Sequence, residues 1–239
     1  MVRTSLVALV LLAGCQPVVH VSPLVPSVPD HRGVRVGAEG NLLASQTGAR
    51  LDASPVEAVS VFARRLRTSN DANSFRLSGG EVGVVAERRM ERGLRIDGSL
   101  SAGWDRVASE GTVRGEPPLG VSDTVDAGVR RLSGHVGAWG VSEDPGLDFR
   151  TGPLLGFRAG PALRISRIAV VSPRRRGEGP EVTEARGLLV EPIVRAALTY
   201  DRLDAEVQTG VTFVWGDALR EQYDVVPLLL GARLGVRLF

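Results

Sequence analysis

Residues 186–215, RGLLVEPIVRAALTYDRLDAEVQTGVTFVW, decide the fold. Apolar and polar residues alternate with a period of two through most of this stretch, and only Asp201 and Arg202 separate the two alternating runs. Strict alternation over this length is typical of strands with two unlike faces, and a two-residue break between such runs predicts an antiparallel hairpin. The apolar face holds Leu188, Val194, Leu198, Leu203, Val207 and Trp215, and the polar face holds Glu191, Arg195, Thr199, Glu206 and Gln208.

The same alternation recurs along the chain and predicts an all-β protein with eight strands. The predicted strands cover about 34–44, 74–88, 94–105, 128–142, 152–169, 186–200, 203–215 and 228–239. Long connections follow the odd-numbered strands and shorter ones follow the even-numbered strands. Both termini of the barrel domain would therefore lie on the short-turn side, where an N-terminal lipid anchor would also insert. An antiparallel meander with this loop pattern is typical of membrane-spanning barrels, so we expect an eight-stranded antiparallel up-and-down β-barrel over residues 33–239.

The first long connection, residues 46–72, contains a helix signal. Ser54 can serve as the N-cap, Pro55 can occupy the first helical position, and Glu57 can complete a capping box. Apolar residues then recur at helical spacing, which predicts one short helix over 55–66. The alternative is an extra strand, because apolar residues of this stretch also alternate.

The N-terminus has the features of a secretion signal. A charged residue, Arg3, precedes a short apolar stretch that ends in Leu12-Ala13-Gly14-Cys15. This stretch is too short to span a bilayer. It resembles the signal of a bacterial lipoprotein, and the resemblance implies removal of residues 1–14, acylation of Cys15 with palmitate-type chains, and sorting to the outer membrane because Gln16 follows. The alternative is an ordinary signal peptide that happens to contain a cysteine.

Residues 15–32 are rich in proline, with Pro17, Pro23, Pro26 and Pro29. Such a segment is extended and builds no core of its own. We therefore expect a lipid-anchored tether that reaches on the order of 50 Å at about 3.1 Å per residue. Cys15 is the single cysteine of the chain, which excludes an internal disulfide.

Residues 33–239 resemble the small eight-stranded outer-membrane barrels of the OmpA and OmpX kind. The resemblance rests on strand number, loop alternation and the C-terminal Phe239. It implies that the apolar faces contact lipid, with four aromatic residues at the membrane interfaces. These residues are Trp104, Tyr200, Phe213 and Trp215.

Charged residues of both signs lie in the middle of the polar faces. In a lipid-embedded barrel they would face the interior, where buried charges must pair and arginine suits bidentate pairing with carboxylates. We therefore predict an interior charge network of Arg35, Glu39, Glu81, Arg95, Asp97, Arg158, Glu191, Arg195, Glu206 and Arg233. Alternation does not say which face is outside, so a soluble lipocalin-like barrel, with the apolar face around a ligand, is the competing interpretation.

Two further features are candidate sites. The run Arg174, Arg175 and Arg176 could contact lipopolysaccharide phosphates. Ser133 and His135 share a strand face, and with a carboxylate they could form the triad of an acyl hydrolase. Such a site would resemble that of lipid A deacylases, which are small outer-membrane barrels. However, two residues along a strand are about 6.6–7 Å apart, which is too far for a direct hydrogen bond. The formal net charge of +2 gives no nucleic-acid footprint, and no spacing predicts a metal or cofactor site.

We therefore expect an outer-membrane lipoprotein barrel, anchored through Cys15, with a structural or envelope-interaction role and no catalysis. Its expected partners are outer-membrane lipid, lipopolysaccharide and envelope proteins that contact the long loops. Eight strands leave a filled interior, so conduction of solutes is not expected. The alternatives are a lipid-anchored lipocalin-like barrel that binds an apolar ligand and an outer-membrane acyl hydrolase.

Overall fold

The computed structural model describes residues 18–28, 32–56, 58–70, 75–111, 123–142, 155–172, 183–216, 219 and 224–238. Cys15, the Arg174 to Arg176 run and Phe239 lie outside these residues. Thirteen strands are described: β1 (Val18–His20), β2 (Gly33–Asn41), β3 (Gln46–Val56), β4 (Val59–Asn70), β5 (Phe75–Arg89), β6 (Leu94–Gly111), β7 (Asp123–Ser142), β8 (Leu155–Ser172), β9 (Thr183–Tyr200), β10 (Leu203–Val211), β11 (Phe213–Trp215), β12 (Asp224–Val225) and β13 (Leu228–Arg237).

Ten of these strands form a closed antiparallel ring. Strands β2 to β9 each pair with the next strand along the chain, β10 pairs with β13, and β13 pairs back with β2. Strand β11 continues β10 beyond Thr212 and also pairs with β9. The predicted all-β antiparallel barrel is confirmed, but the predicted strand number is wrong, because the ring has ten strands in place of eight.

The two missed strands come from the stretch 46–72. It forms the hairpin β3–β4, in which Gln46 pairs with Thr68 and Ala53 pairs with Val61. The predicted helix over 55–66 is therefore wrong. Ser54 and Pro55 end strand β3 in place of starting a helix, because pairing with β2 and β5 on both sides of this hairpin outweighs a local capping signal. Among the described residues, no helix is long and apolar enough to cross a membrane.

The ring has two unlike ends. At the end that we call the terminus end, β2 begins, β13 ends, and the turn Asp201-Arg202 joins β9 to β10. At the opposite end, which we call the loop end, residues 112–122 and 173–182 connect long strands. Strands β6 to β9 reach further towards the loop end than the shorter strands β10, β13 and β2.

The apolar faces point outward and the charged faces point inward. On β9, Val194 is 62% exposed while its neighbour Arg195 is 1% exposed. The four predicted interface aromatics are also outward, with exposed fractions of 48–55%. The outward positions of β6 are apolar or small from Leu94 to Trp104, roughly 25 Å along the axis for a strand tilted by about 40°. This matches the apolar band of a transmembrane barrel and contradicts the lipocalin-like alternative.

Glycine and proline lie where the barrel needs them. A Cβ on Gly103 would be 2.7 Å from Nη2 of Arg131, and one on Gly137 would collide with Arg195, so these glycines leave room for interior guanidinium groups. Pro161 lies in a gap of the β7–β8 pairing. Proline has no N–H to donate, so it is tolerated where a ladder is interrupted.

Candidate functional site: the barrel lumen

All ten residues of the predicted interior network are buried, with exposed fractions of 1–8%. Each forms an ion pair with an opposite charge. The pairs within the described residues are Arg35 with Asp52 and Asp204, Arg64 with Glu39 and Glu81, Arg131 with Glu81 and Asp105, Arg195 with Asp97, Arg164 with Glu191, Arg233 with Glu206, and Arg95 and Arg158 with Glu87.

Sequence reasoning missed several members of this network. Arg50, Asp52 and Arg64 were not predicted as interior residues, because the pattern of 46–72 was interpreted as a connection with a helix. Arg131 and Arg164 lie on polar strand faces, so the alternation alone could have placed them in the lumen. Asp52 accepts hydrogen bonds from the guanidinium groups of both Arg35 and Arg50, which ties three strand positions together.

One cluster crosses four neighbouring strands, β4 to β7, and reaches Glu39 on β2. The carboxylate of Glu81 accepts a hydrogen bond from Nη2 of Arg131 at 2.7 Å and lies 2.9 Å from Nη2 of Arg64. Arg131 also donates to Asp105 at 3.0 Å, and Arg64 lies 3.3 Å from Glu39. Each acid is bound by at least one guanidinium in a setting without bulk water, where unpaired charge is costly.

A second cluster spans the lumen from β6 to β9. Asp97 on β6 accepts two hydrogen bonds from Arg195 on β9, one of them at 2.7 Å. The guanidinium of Arg195 lies 3.9 Å from the ring centroid of the fully buried Trp139, and that of Arg158 lies 4.7 Å from it. This cation–π contact adds to the ion pair and fixes the interior arginines in place.

The Ser133–His135 pair proposed for hydrolysis does not form. Ser133 hydrogen-bonds to Ser166 at 2.8 Å, whereas Nδ1 of His135 contacts Ser99 and Nε2 lies 3.2 Å from Asp97. Asp97 is at the same time the partner of Arg195. The chain Ser99–His135–Asp97 is therefore one branch of the ion network of the lumen.

Residues 18–28 run through the lumen. Strand β1 pairs in parallel with β12, at the loop end, whereas Val28 packs near the terminus end against Phe62 and Val85. Residues 20–28 are buried throughout. The segment belongs to the predicted tether over 15–32, but it lies inside the barrel and not beside it. Ten strands enclose a wider lumen than eight, and this segment fills it.

The barrel wall holds the segment by its backbone. Gln208 on β10 accepts a hydrogen bond from the Val25 N–H and donates one to the Val25 carbonyl, both at 2.8 Å. Arg64 donates to the carbonyl of Leu24 at 2.6 Å, and Arg164 donates to that of Pro23. The wall thus satisfies backbone groups that the extended, proline-containing segment cannot satisfy itself.

Side chains of the segment join the wall as well. Ser27 donates to Glu206 at 2.9 Å and receives a hydrogen bond from Arg233 at 2.6 Å. Each of the three hydrophobic clusters of the interior includes a residue of the segment. Val21 belongs to the cluster with Leu77, Val107, Val129, Ile168, Val170, Leu189 and Leu219. Leu24 and Val25 belong to the cluster with Ala162, Ile193 and Leu229. Val28 belongs to the cluster with Phe62 and Val85.

The fold and the lumen together define a closed antiparallel β-barrel with an apolar exterior and an internally bound N-terminal segment. No group of three or more acidic, histidine or cysteine side chains in the described residues could hold a metal ion.

Neither a protein-family model nor a curated protein matches the chain. Among solved structures, it is similar to the β domain of the Bordetella autotransporter BrkA, with 12% identity, a TM-score of 0.40, and coverage of 85% of this chain and 96% of that one. It is also similar to the translocator domain of the autotransporter NalP from Neisseria meningitidis, with 12% identity, a TM-score of 0.39, and coverage of 87% and 89%. We infer the role of this chain from its own residues.

Proposed function

We propose that this chain is an outer-membrane lipoprotein barrel with a structural or envelope-interaction role, whose lumen is closed by its own N-terminal segment. The observation that carries the proposal is the distribution of side chains. Large apolar residues cover the outside of a closed ring, and paired charges together with residues 18–28 fill the inside.

The exterior supports insertion into lipid. Leu100, Leu132, Val194 and Leu234 have exposed fractions between 58% and 67%, and each lies in the middle of a strand. Contiguous apolar surface on this scale is unfavourable in water and favourable against hydrocarbon. Among the described residues, each of the ten ring strands pairs on both sides, so the ring itself has no free edge strand facing lipid.

Further parts of the proposal concern partners. Acylation of Cys15 would add a second attachment to the membrane, supported by the lipoprotein-type signal of the sequence. The Arg174 to Arg176 run, between β8 and β9, is proposed to contact lipopolysaccharide, and the loops of the loop end are proposed to contact envelope proteins. The filled lumen supports a role without catalysis or solute conduction.

The test is to separate the barrel from its lipid anchor. In one version, residues 1–15 are replaced by an ordinary cleavable signal peptide, so that the exported chain starts at Gln16 without acyl groups. We expect this version to stay in the membrane fraction and to require detergent for extraction, like the acylated chain. Recovery of a folded, heat-modifiable barrel in detergent-free buffer would contradict membrane insertion.

A matched experiment tests the anchor itself. Incorporation of radiolabelled palmitate is expected in the natural chain and is expected to be lost in the version without Cys15. If the natural chain takes up no palmitate but still requires detergent, the barrel part of the proposal stands and the lipoprotein part is wrong.

A further inference from the structure

We propose that six outward-facing arginines at the loop end form a binding surface for the phosphate groups of membrane lipids. We call this set the arginine row. It consists of Arg67, Arg76, Arg106, Arg130, Arg167 and Arg186, all exposed, one on each of the six consecutive strands from β4 to β9. The inference rests on the proposed insertion of the barrel into lipid.

The strand register makes the arginine row continuous. Arg67 pairs with Ser78, two residues from Arg76, and Ser78 pairs in turn with Arg106 on the next strand. The same offset of two residues recurs at each later step, since Arg130 pairs with Trp104 and with Ala169. The last step follows the same rule, because Ala169 pairs with Arg186.

Each arginine of the row is therefore the diagonal neighbour of the next one. Diagonal neighbours on one face of a sheet are about 7–8 Å apart at the backbone, within reach of long side chains. Two adjacent guanidinium groups can thus converge on one phosphate. Each guanidinium presents a planar fork of donors that matches phosphate geometry, so a row of six can bind several phosphate groups side by side.

The row lies at the boundary of the apolar band. On β7 and β9, the next outward residues towards the terminus end are Leu132 and Leu188, 62% and 39% exposed. On β6 and β8 the corresponding residues are Trp104 and Ile165. In a bilayer this level is where hydrocarbon gives way to headgroups, with tryptophan at the interface. On these four strands the guanidinium groups are therefore placed at the depth of lipid phosphates, whereas on β4 and β5 the next outward residues are polar, Arg65 and Ser78.

The charge of the row also favours an anionic partner. Among the described residues, Glu184 contacts the row through an ion pair of 2.8 Å with Arg186. A concentration of guanidinium groups on one side of the barrel attracts anionic headgroups. In the part of the chain that the structure describes, the other side of the barrel is apolar at the same end, where β10, β11 and β13 present Val211, Phe213, Trp215 and Leu228.

The experiment compares two triple variants of the full chain, purified in a mild detergent. The first, Arg130→Gln, Arg167→Gln and Arg186→Gln, removes half of the row. The control, Arg88→Gln, Arg89→Gln and Arg202→Gln, removes three exposed arginines at the terminus end. Each protein is titrated with diphosphorylated lipid A or with its dephosphorylated form, and bound lipid is counted by native mass spectrometry.

We expect the natural chain and the control variant to prefer the phosphorylated lipid. The row variant is expected to bind this lipid at least about tenfold more weakly than the natural chain, because each charge-assisted hydrogen bond contributes substantially to affinity. Equal binding of both lipids by the natural chain would overturn the inference. So would an equal loss in the control variant, which would indicate a general charge effect.

Fold is checked in parallel by heat-modifiable migration, since all six substituted side chains of the two variants are exposed. The result also separates this inference from the proposed function. If the chain requires detergent but shows no phosphate preference, only the inference about the arginine row is wrong. If the chain folds without detergent, both that inference and the proposed insertion into lipid are wrong.

Discussion

At the scale of single residues, the interior depends on acids that are shared between arginines. Glu81 is 2% exposed and contacts the guanidinium groups of both Arg64 and Arg131. Loss of its charge would leave two buried cations with fewer partners than they need, and breaking a buried ion pair is far more destabilising than replacing the whole pair.

We therefore expect Glu81→Gln to lower the free energy of unfolding by about 3–5 kcal/mol. The measurement is urea-induced unfolding of the barrel in lipid vesicles, followed by tryptophan fluorescence. Glu184→Gln is the matched control, because Glu184 also pairs with an arginine but on the exposed surface, where ion pairs contribute little. If both variants unfold at the same urea concentration as the natural chain, the interior network has no stabilising role.

The serine–histidine contacts give a second prediction at this scale. Ser99, His135 and Asp97 are in contact, but Asp97 already neutralises Arg195, so we expect a structural network without hydrolysis. Ser99→Ala and His135→Ala are expected to leave the acyl composition of envelope lipids unchanged, as measured by mass spectrometry of lipid extracts. Ser133→Ala is the control. Altered acylation in the first two variants alone would instead indicate a hydrolase built on Ser99.

At the scale of elements, the N-terminal segment acts as part of the barrel interior. Residues 18–28 contribute to all three hydrophobic clusters and receive hydrogen bonds from Gln208, Arg64 and Arg164. The wall is shaped to this segment, since a Cβ on Gly231 would collide with the Leu24 side chain. The segment is thus the element that decides whether the lumen is open.

We expect deletion of residues 18–28 to make the non-conducting barrel conduct ions, because ten strands without this segment enclose a polar passage. The measurement is single-channel recording in planar bilayers, with the full chain as the reference. Addition of a synthetic peptide with the sequence of residues 18–28 is expected to close the passage again. A scrambled peptide of the same composition serves as the control. Equal silence of the full chain and the deleted chain would show that the wall residues close the lumen by themselves.

The elements also show what the sequence could predict. Alternation in 186–215 was enough for the hairpin and its polar face, because a strand face is a local property of period two. The hairpin over 46–70 was missed, because Ser54 and Pro55 carry a local helix signal while strand pairing depends on residues far along the chain. The location of residues 18–28 was missed for the same reason. Prolines predict an extended chain, but only the ring of ten strands creates a lumen for it.

At the scale of the whole molecule, the path of the N-terminal segment decides where the start of the chain emerges. The loop pattern of the sequence predicts the lipid anchor and both termini of the barrel domain on one side of the membrane. The segment instead enters at the loop end, where β1 pairs with β12, and leaves at the terminus end, where β2 begins. Val18 and Gly33 therefore lie at opposite ends of the barrel.

This path limits the reach of Cys15. Three residue steps lead from Cys15 to Val18 and span at most about 11 Å, whereas the eight residue steps from His20 to Val28 cover roughly 26 Å of lumen. If Cys15 is acylated as we propose, its acyl groups can insert only into the leaflet at the loop end while residues 18–28 occupy the lumen. This is the same leaflet whose phosphates the arginine row is proposed to bind.

We therefore expect a protease site inserted between Gln16 and Pro17 to be cleaved from the same side of the membrane as a site within residues 173–182. A site in the Asp201-Arg202 turn is expected to be cleaved from the opposite side. The measurement is digestion of intact cells and of cells with a permeabilised outer membrane, followed by immunoblotting. Cleavage of the N-terminal site from the same side as the turn site would mean that residues 18–28 do not occupy the lumen in the cell. With residues 18–28 in the lumen, the short stretch between the inserted site and Val18 cannot reach the terminus end.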